Sequence, residues 1–164
     1  MQKYYRSLLF LIFTVFYGAN LSAQTTYVPD DNFEAYLEAN FMGDGIANNN
    51  LVLTANINSK IGLTLHDEGI TDLTGIEGFV NLIYFNFRGA INNFNFNANT
   101  SLDRLNISGN GYHLEENLII ISPTLTEITV NYTDISSLDI SLCPQLFRLT
   151  CDKSENAHRW NYPR

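Results

Sequence analysis

One apolar pattern recurs along the second half of the chain. It is Leu-x-x-Φ-x-Φ, where Φ is Phe, Leu, Ile, Val or Cys, and its copies are NLIYFNF (81–87), SLDRLNI (101–107), TLTEITV (124–130) and QLFRLTC (145–151). The leading leucines of these copies are 20, 23 and 21 residues apart. The alternation predicts a half-buried β-strand in each copy, and the spacing predicts one strand per coil of a repeat protein. A more degenerate copy, GLTLH (62–66), precedes them.

A second apolar pattern lies between these copies. The segment INNFNFN (91–97) aligns with ISSLDIS (135–141), and ITDLTGI (70–76) fits the same spacing. The last apolar residue of each segment, Phe96, Ile140 and Ile76, lies six residues before the next leading leucine. Because no single coil can bury two apolar segments alone, we expect successive coils to stack around a shared core. The third coil carries extra residues over 111–123, where we expect a bulge or a short helix.

The segment before the repeats predicts a helix. Asp30 or Asp31 suits a helix N-cap, and Phe33, Tyr36 and Leu37 recur at helical spacing, so we expect about two to three amphipathic turns over the first coil. GDGIANNN (43–50) lacks the alternating acidic ligands of a calcium loop. We therefore interpret it as a turn before a strand LVLTANI (51–57).

The first 23 residues have the pattern of a secretory signal peptide. Lys3 and Arg6 precede the apolar run SLLFLIFTVFY (7–17), and we expect cleavage after Ala23. A membrane-anchoring helix is the alternative, but the run is shorter than the roughly 20 apolar residues that cross a bilayer. The pattern predicts a protein that is secreted or exposed at the cell surface, with no membrane span in the mature chain.

Charge and candidate chemistry narrow the function. Losing Lys3 and Arg6 changes the formal charge from −8 to −10, which argues against nucleic acid as a partner. His66, His113 and His158 are scattered, and we find no phosphate loop or nucleophile elbow. We therefore expect no catalysis, no metal and no cofactor. Cys143 and Cys151 are interpreted as two small buried thiols or, alternatively, as a disulfide.

Two stretches resemble a known family. ITDLTGIEGFVNLIYF (70–85) and LDRLNISGN (102–110) are similar to the leucine-rich repeats of exported bacterial surface proteins, the internalin-like group with short Asn-rich repeats. The segment 26–58 resembles the cap that precedes such repeats. The resemblance implies an α/β solenoid, namely a short leucine-rich repeat stack with a parallel β-sheet on its concave face and an N-terminal helical cap. The predicted divisions are a signal peptide (1–23), the cap (24–52), about four to five coils (53–152) and a C-terminal tail (153–164).

Asparagines are abundant between 91 and 110. The family places one asparagine after each strand, and Asn110 alone matches it; the corresponding positions hold Glu68, Ala90, Thr133 and Ser154. We expect Asn110 to form hydrogen bonds inside its turn. The other asparagines of this run, Asn92, Asn93, Asn95, Asn97 and Asn99, are predicted to point outward or to lie in turns, while Asn106 lies on the strand.

The outward positions of the strands are the candidate binding residues. Side chains alternate along a strand and parallel strands lie about 4.8 Å apart, so these positions form columns across the sheet. The candidates are Tyr84, Asn86, Arg88, Arg104, Asn106, Glu127, Thr129 and Arg148. Arg and Tyr often dominate binding energy, which favours a non-catalytic protein-binding module. The alternatives are a carbohydrate-binding or adhesion module, a fragment of a larger exported repeat protein without independent activity, and a merely solvated ladder of Arg104, Glu127 and Arg148.

Overall fold

The chain was analysed as a computed structural model. It describes residues 23–66, 68–91, 94–109, 117–132, 137–151 and 159–161. The predicted signal peptide, apart from Ala23, lies outside the described residues, as does Asn110. Of the predicted C-terminal tail, the described part is the strand at 159–161, by its backbone alone.

The described residues form ten short strands and few helices. In chain order the strands are β1 (Thr25–Tyr27), β2 (Leu51–Leu53), β3 (Gly62–His66), β4 (Tyr84–Arg88), β5 (Arg104–Ser108), β6 (Asn117–Ile121), β7 (Glu127–Asn131), β8 (Ser137–Leu142), β9 (Arg148–Thr150) and β10 (Arg159–Asn161). The helices are α1 (Asp31–Ala39), α2 (Thr54–Asn58) and one 3-10 turn, Ile76–Gly78.

Five of these strands form one parallel sheet. Its order is β3-β4-β5-β7-β9, and all four neighbouring pairs are parallel. Every copy of the apolar pattern therefore supplies one strand, including the degenerate copy at 62–66. The two Φ positions of each copy point inward, as Phe85 and Phe87 do in β4, where both are almost fully buried. The prediction that each copy of the pattern forms one half-buried strand is confirmed.

A second parallel sheet, in the order β10-β8-β6, lies in the later coils. It comes from the segments between the repeats, and its residues Leu138 and Ile140 belong to the same hydrophobic cluster as the inward residues of the first sheet. The molecule is therefore a solenoid of stacked parallel strands around a shared core. Of the bulge or short helix expected in 111–123, the described part shows the bulge: β6 is a strand whose register with β8 shifts between Ile119 and Ile121.

The chain enters these strands through turns held by hydrogen bonds between residues three positions apart. In the coil before β4, Phe79 N donates to Ile76 O and Leu82 N donates to Phe79 O, both at 3.0 Å. The same two steps recur around Asn99 and around Cys143, each three residues before a leading leucine. Every turn therefore presents one inward side chain at this middle position, which is occupied by Phe79, Asn99, Ser122 and Cys143, all fully buried.

The polar residues at this middle position bond the coils to one another. Asn99 Nδ2 donates to Ile76 O and Phe79 O, both at 2.9 Å, and Ser122 Oγ donates to Leu102 O at 3.0 Å. Cys143 Sγ donates to Ile120 O at 3.3 Å, and burial raises the pKa of this thiol. Asn99 lies in a turn, as predicted, but its side chain is buried and bonds inward, a role that the sequence analysis expected of Asn110. Its amide gives each of these two carbonyl oxygens a second hydrogen bond, in addition to the one from the turn.

Cys143 and Cys151 are not joined by a disulfide. Cys143 is buried, as the two-thiol interpretation predicted, whereas Cys151 is only half-buried because it lies in the last described coil.

The predicted helix is α1, and its ends follow known capping rules. Asp30 is the N-cap and accepts hydrogen bonds from Asn32 N at 3.0 Å and Phe33 N at 2.9 Å. At the other end, Phe41 N donates to Glu38 O and Met42 N donates to Leu37 O, which is a Schellman motif. Phe41 has a φ of 58°, a left-handed conformation that glycine usually provides at this position.

The helix contacts the first coil through polar bonds. Tyr36 Oη donates to Thr64 O of β3 at 2.8 Å, and Asp30 Oδ2 accepts from the backbone of Thr71 and Asp72. The predicted strand LVLTANI is wrong beyond Leu53, the last residue paired with β1; one further backbone bond joins Thr54 N to Gln24 O at 2.9 Å. Residues Thr54–Asn58 instead form the short helix α2.

Candidate binding face

The outward side chains of the five-stranded sheet lie in the predicted columns. Gly62, Tyr84, Arg104, Glu127 and Arg148 are paired in sequence across the sheet, and so are Thr64, Asn86, Asn106, Thr129 and Thr150. A third column contains His66, Arg88, Ser108 and Asn131. We call these outward residues the polar face. All eight sequence candidates lie on it, on four adjacent strands.

Tyr84 lies across the neighbouring strand. Its ring occupies the space above Gly62, where any side chain would collide with the ring. The residue nevertheless keeps 47% of its surface exposed. Because Gly62 has no side chain, the Tyr84 ring packs against the sheet there, while the opposite side of the ring remains accessible.

The arginines of the first column use different acidic partners. Arg148 Nη1 lies 3.4 Å from Glu127 Oε1, and Arg104 Nε lies 3.5 Å from Asp103 Oδ2. A continuous ladder of Arg104, Glu127 and Arg148 is thus replaced by two separate pairs. Both arginine side chains keep more than 60% of their surface exposed, at 67% and 61%. Pairs of this kind stabilise a fold by at most about 1 kcal/mol.

The middle column is neutral. Asn86 Nδ2 lies 3.2 Å from His66 Nε2, and Asn106 Oδ1 accepts from Ser108 Oγ at 3.3 Å. Thr129 and Thr150 continue the column and are half-buried. These amide and hydroxyl groups can donate and accept hydrogen bonds without adding charge between the two arginines.

Sequence analysis missed a row of residues at the edge of this sheet. Ile83 N and Tyr84 N both donate to Ile61 O, at 2.8 and 3.1 Å, so the residue before β3 is paired with the residue before β4. Ile61 is 57% exposed and Ile83 is 41% exposed. We call Ile61, Ile83 and Tyr84 the apolar edge. Its sequence signal is an isoleucine directly before β3 and another directly before β4, at a position that the Leu-x-x-Φ-x-Φ pattern leaves unassigned.

The described residues offer neither a metal-binding cluster nor a membrane-spanning helix. Within the described ranges, no three His, Cys, Asp or Glu side chains come together in a way that could hold a metal ion. No helix among the described residues is long and apolar enough to cross a membrane. The feature that stands out is an ordered polar surface beside exposed apolar groups.

No family model and no curated protein matches this chain.

Proposed function

We propose that this protein is a non-catalytic binding module that recognises another protein through the polar face. The observation that carries the proposal is the adjacency of Tyr84, Arg104 and the apolar edge on one rigid parallel sheet. Exposed apolar groups set next to Tyr and Arg are typical of protein interaction sites.

We also propose that the solenoid is a leucine-rich repeat stack of the exported bacterial type, with α1 as its N-terminal cap and the polar face on its concave side. Two facts support this finer assignment. The strands recur with the spacing of such repeats, and Tyr36 and Asp30 bond α1 to the first coil. A stack of this kind requires its terminal apolar side to be covered.

The proposed site of action is outside the cytoplasm. The signal-peptide pattern of residues 1–23 supports it. Processing can be checked by determining the N-terminal residue of the protein recovered from the medium or the cell surface. A mature chain that begins at Gln24 would support export, whereas a chain retaining Met1 inside the cell would contradict it.

The binding proposal can be tested by affinity capture with immobilised residues 24–164. A variant with Arg104→Ala and Arg148→Ala should lose the partners retained by the wild-type chain, because both guanidinium groups lie on the polar face. Tyr84→Ala should do the same, while Tyr27→Ala is a matched control, since Tyr27 is 56% exposed on β1. Equal retention of every partner by all variants would contradict the proposal.

A further inference from the structure

The apolar edge consists of three exposed residues whose backbones are adjacent. The shared acceptor Ile61 O fixes Ile61 beside Ile83, and Tyr84 follows Ile83 directly in the chain. All three side chains are at least 41% exposed. Groups of this size cost free energy in water and are stabilised when another apolar surface covers them, at roughly 25 cal/mol per Å². The edge therefore favours a ligand with an apolar side chain.

The aromatic member of this edge is held in place. Its ring lies against Gly62, so covering it costs less side-chain entropy than ordering a free tyrosine would. A methyl group at position 62 would displace the ring. Gly62→Ala therefore provides a way to move Tyr84 without removing it.

A positive group lies directly beside the ring. Arg104 is paired with Tyr84 in the register of β4 and β5. Asp103 engages its Nε atom, and among the described residues no other acidic group lies within ion-pair distance of it. The terminal nitrogen atoms of a guanidinium can hold a second carboxylate in a two-pronged arrangement. With 67% of its side chain exposed, Arg104 is accessible for such a contact.

Charge favours an acidic ligand at this place. The whole chain has a formal charge of −8, yet the first column of the polar face presents the guanidinium groups of Arg104 and Arg148, which keep 67% and 61% of their side chains exposed. A negatively charged ligand therefore meets exposed positive groups on an acidic protein. A lysine-bearing ligand would meet repulsion here, while a carboxylate would replace its water with charge-assisted hydrogen bonds.

We infer that the partner presents an apolar side chain directly beside a carboxylate. The apolar group covers Ile61, Ile83 and the free side of the Tyr84 ring, and the carboxylate bonds to the terminal nitrogens of Arg104. This inference rests on the proposed protein-binding function and specifies its ligand. It makes the first two coils the centre of the interface and leaves Arg148 at its border.

Four synthetic peptides in one Gly-Ser host sequence test this chemistry. They carry a central Leu-Glu, Leu-Gln, Ser-Glu or Leu-Lys pair and are titrated into residues 24–164 while NMR follows the Tyr84 ring and the arginine side chains. Leu-Glu should bind at least about fivefold more tightly than each of the other three, because only it fills both parts of the site. Equal affinity, or no binding by any peptide, would overturn the inference.

Variants locate the contact. Arg104→Ala should remove the preference for Leu-Glu over Leu-Gln, and Ile83→Ser should remove the preference for Leu-Glu over Ser-Glu. Gly62→Ala should weaken Leu-Glu binding through the displaced ring. Ile46→Ser is the matched apolar control, since Ile46 is 60% exposed in the loop after α1. Preferences that survive Arg104→Ala and Ile83→Ser would place the contact elsewhere and overturn the inference.

Two further outcomes separate this inference from the function on which it rests. If Arg104→Ala with Arg148→Ala abolishes partner capture but the peptides are not distinguished, the polar face binds protein and the ligand chemistry is wrong. If polygalacturonate binds through Tyr84 while its methyl ester and all four peptides do not, the ligand is an acidic sugar, and both proposals fail in favour of a carbohydrate module.

Discussion

The N-terminal unit, residues 24–58, and the polar face use charged groups in opposite ways. The N-terminal unit contains Asp30, Asp31, Glu34, Glu38 and Asp44 and no lysine or arginine. Most of its carboxylates accept hydrogen bonds from backbone amides. The charged groups of the polar face are paired with single acidic side chains and remain largely exposed.

Asp30 shows how completely a carboxylate can be used for structure. One of its oxygens caps α1, and the other accepts from Thr71 N at 2.9 Å, Thr71 Oγ1 at 3.2 Å and Asp72 N at 3.1 Å. Burial opposes ionisation of this group, but the amide donors together outweigh it and hold the pKa of Asp30 below its ordinary value. A single side chain thereby joins the helix to the first coil.

The loop after α1 follows the same principle. Glu38 accepts from the backbone of Asp44 and Gly45, Glu34 accepts from Asn49 N at 3.0 Å, and Asn49 donates to Asp44 at 2.9 Å. The hydrogen bond from Asn49 is the largest of the effects that lower the pKa of Asp44. The carboxylates in and around this loop are therefore engaged with backbone and amide donors. Acidic residues in one region therefore organise the chain, whereas arginines in the other remain available to a ligand.

The largest expected effect comes from removing the Asp30 carboxylate. Asp30→Ala should lower the free energy of unfolding by about 2 kcal/mol, since it removes an N-cap and leaves the partly buried amides of Phe33 and Asp72 without this acceptor. Urea denaturation measures this. Asp31→Ala is the matched control and should change stability by less than about 0.5 kcal/mol, because Asp31 is exposed on the helix. Similar losses in both variants would erase the distinction between a structural and a solvated carboxylate.

Protonation of Asp30 at low pH should lower the free energy of unfolding by less than Asp30→Ala does, because the protonated side chain remains in place. The folded-state pKa of Asp30 lies below the unfolded value of 3.8, so its contribution to stability is fully present above pH 3.8 and is lost as the pH falls through the folded-state pKa. Denaturation curves between pH 6 and pH 2 should therefore show a steeper loss in the wild-type chain than in Asp30→Asn. Parallel curves would contradict this role.

A gain of stability is expected at the end of α1. Phe41→Gly should raise the free energy of unfolding by up to about 1 kcal/mol, because glycine adopts the left-handed conformation without steric cost. Thermal unfolding measures the change. Phe41→Ala separates the causes, since it removes the 91% exposed ring but keeps the backbone cost. A gain in Phe41→Ala equal to that in Phe41→Gly would assign the effect to the exposed ring.

The smallest effect on stability is expected on the polar face. Arg104→Ala and Arg148→Ala should each change the free energy of unfolding by less than about 0.5 kcal/mol, because their ion pairs are exposed. Urea denaturation under the conditions used for Asp30→Ala allows a direct comparison. Losses of about 2 kcal/mol or more would mean that these arginines support the fold as Asp30 does.

Much of the architecture follows from local pattern. Alternation in the Leu-x-x-Φ-x-Φ copies fixes which side chains point inward, and the repeat spacing fixes their register, so the columns of Tyr84, Arg104, Glu127 and Arg148 could be predicted. The helix was predictable because Asp30 and the spacing of Phe33 and Leu37 are local signals.

Other features could not be predicted because their causes are distant in sequence. Asn99 looked like one more polar residue in a run, yet its partners Ile76 O and Phe79 O come from the preceding coil. The end of β2 depends on where β1 begins. The apolar edge required knowing that the carbonyl of Ile61 meets the amides of Ile83 and Tyr84.

The sequence by itself determined a stack of parallel strands with a polar outer side, because periodicity is a property of neighbouring residues and repeats itself in every coil. Only the tertiary structure decided which polar side chains bond to the backbone of another coil and which remain exposed. Asp30 and Asn99 lie where folding brings backbone groups of another coil within reach of their side chains, whereas Arg104 lies on a strand whose backbone groups are paired within the sheet. Polar side chains are therefore structural in one place and exposed to a ligand in another.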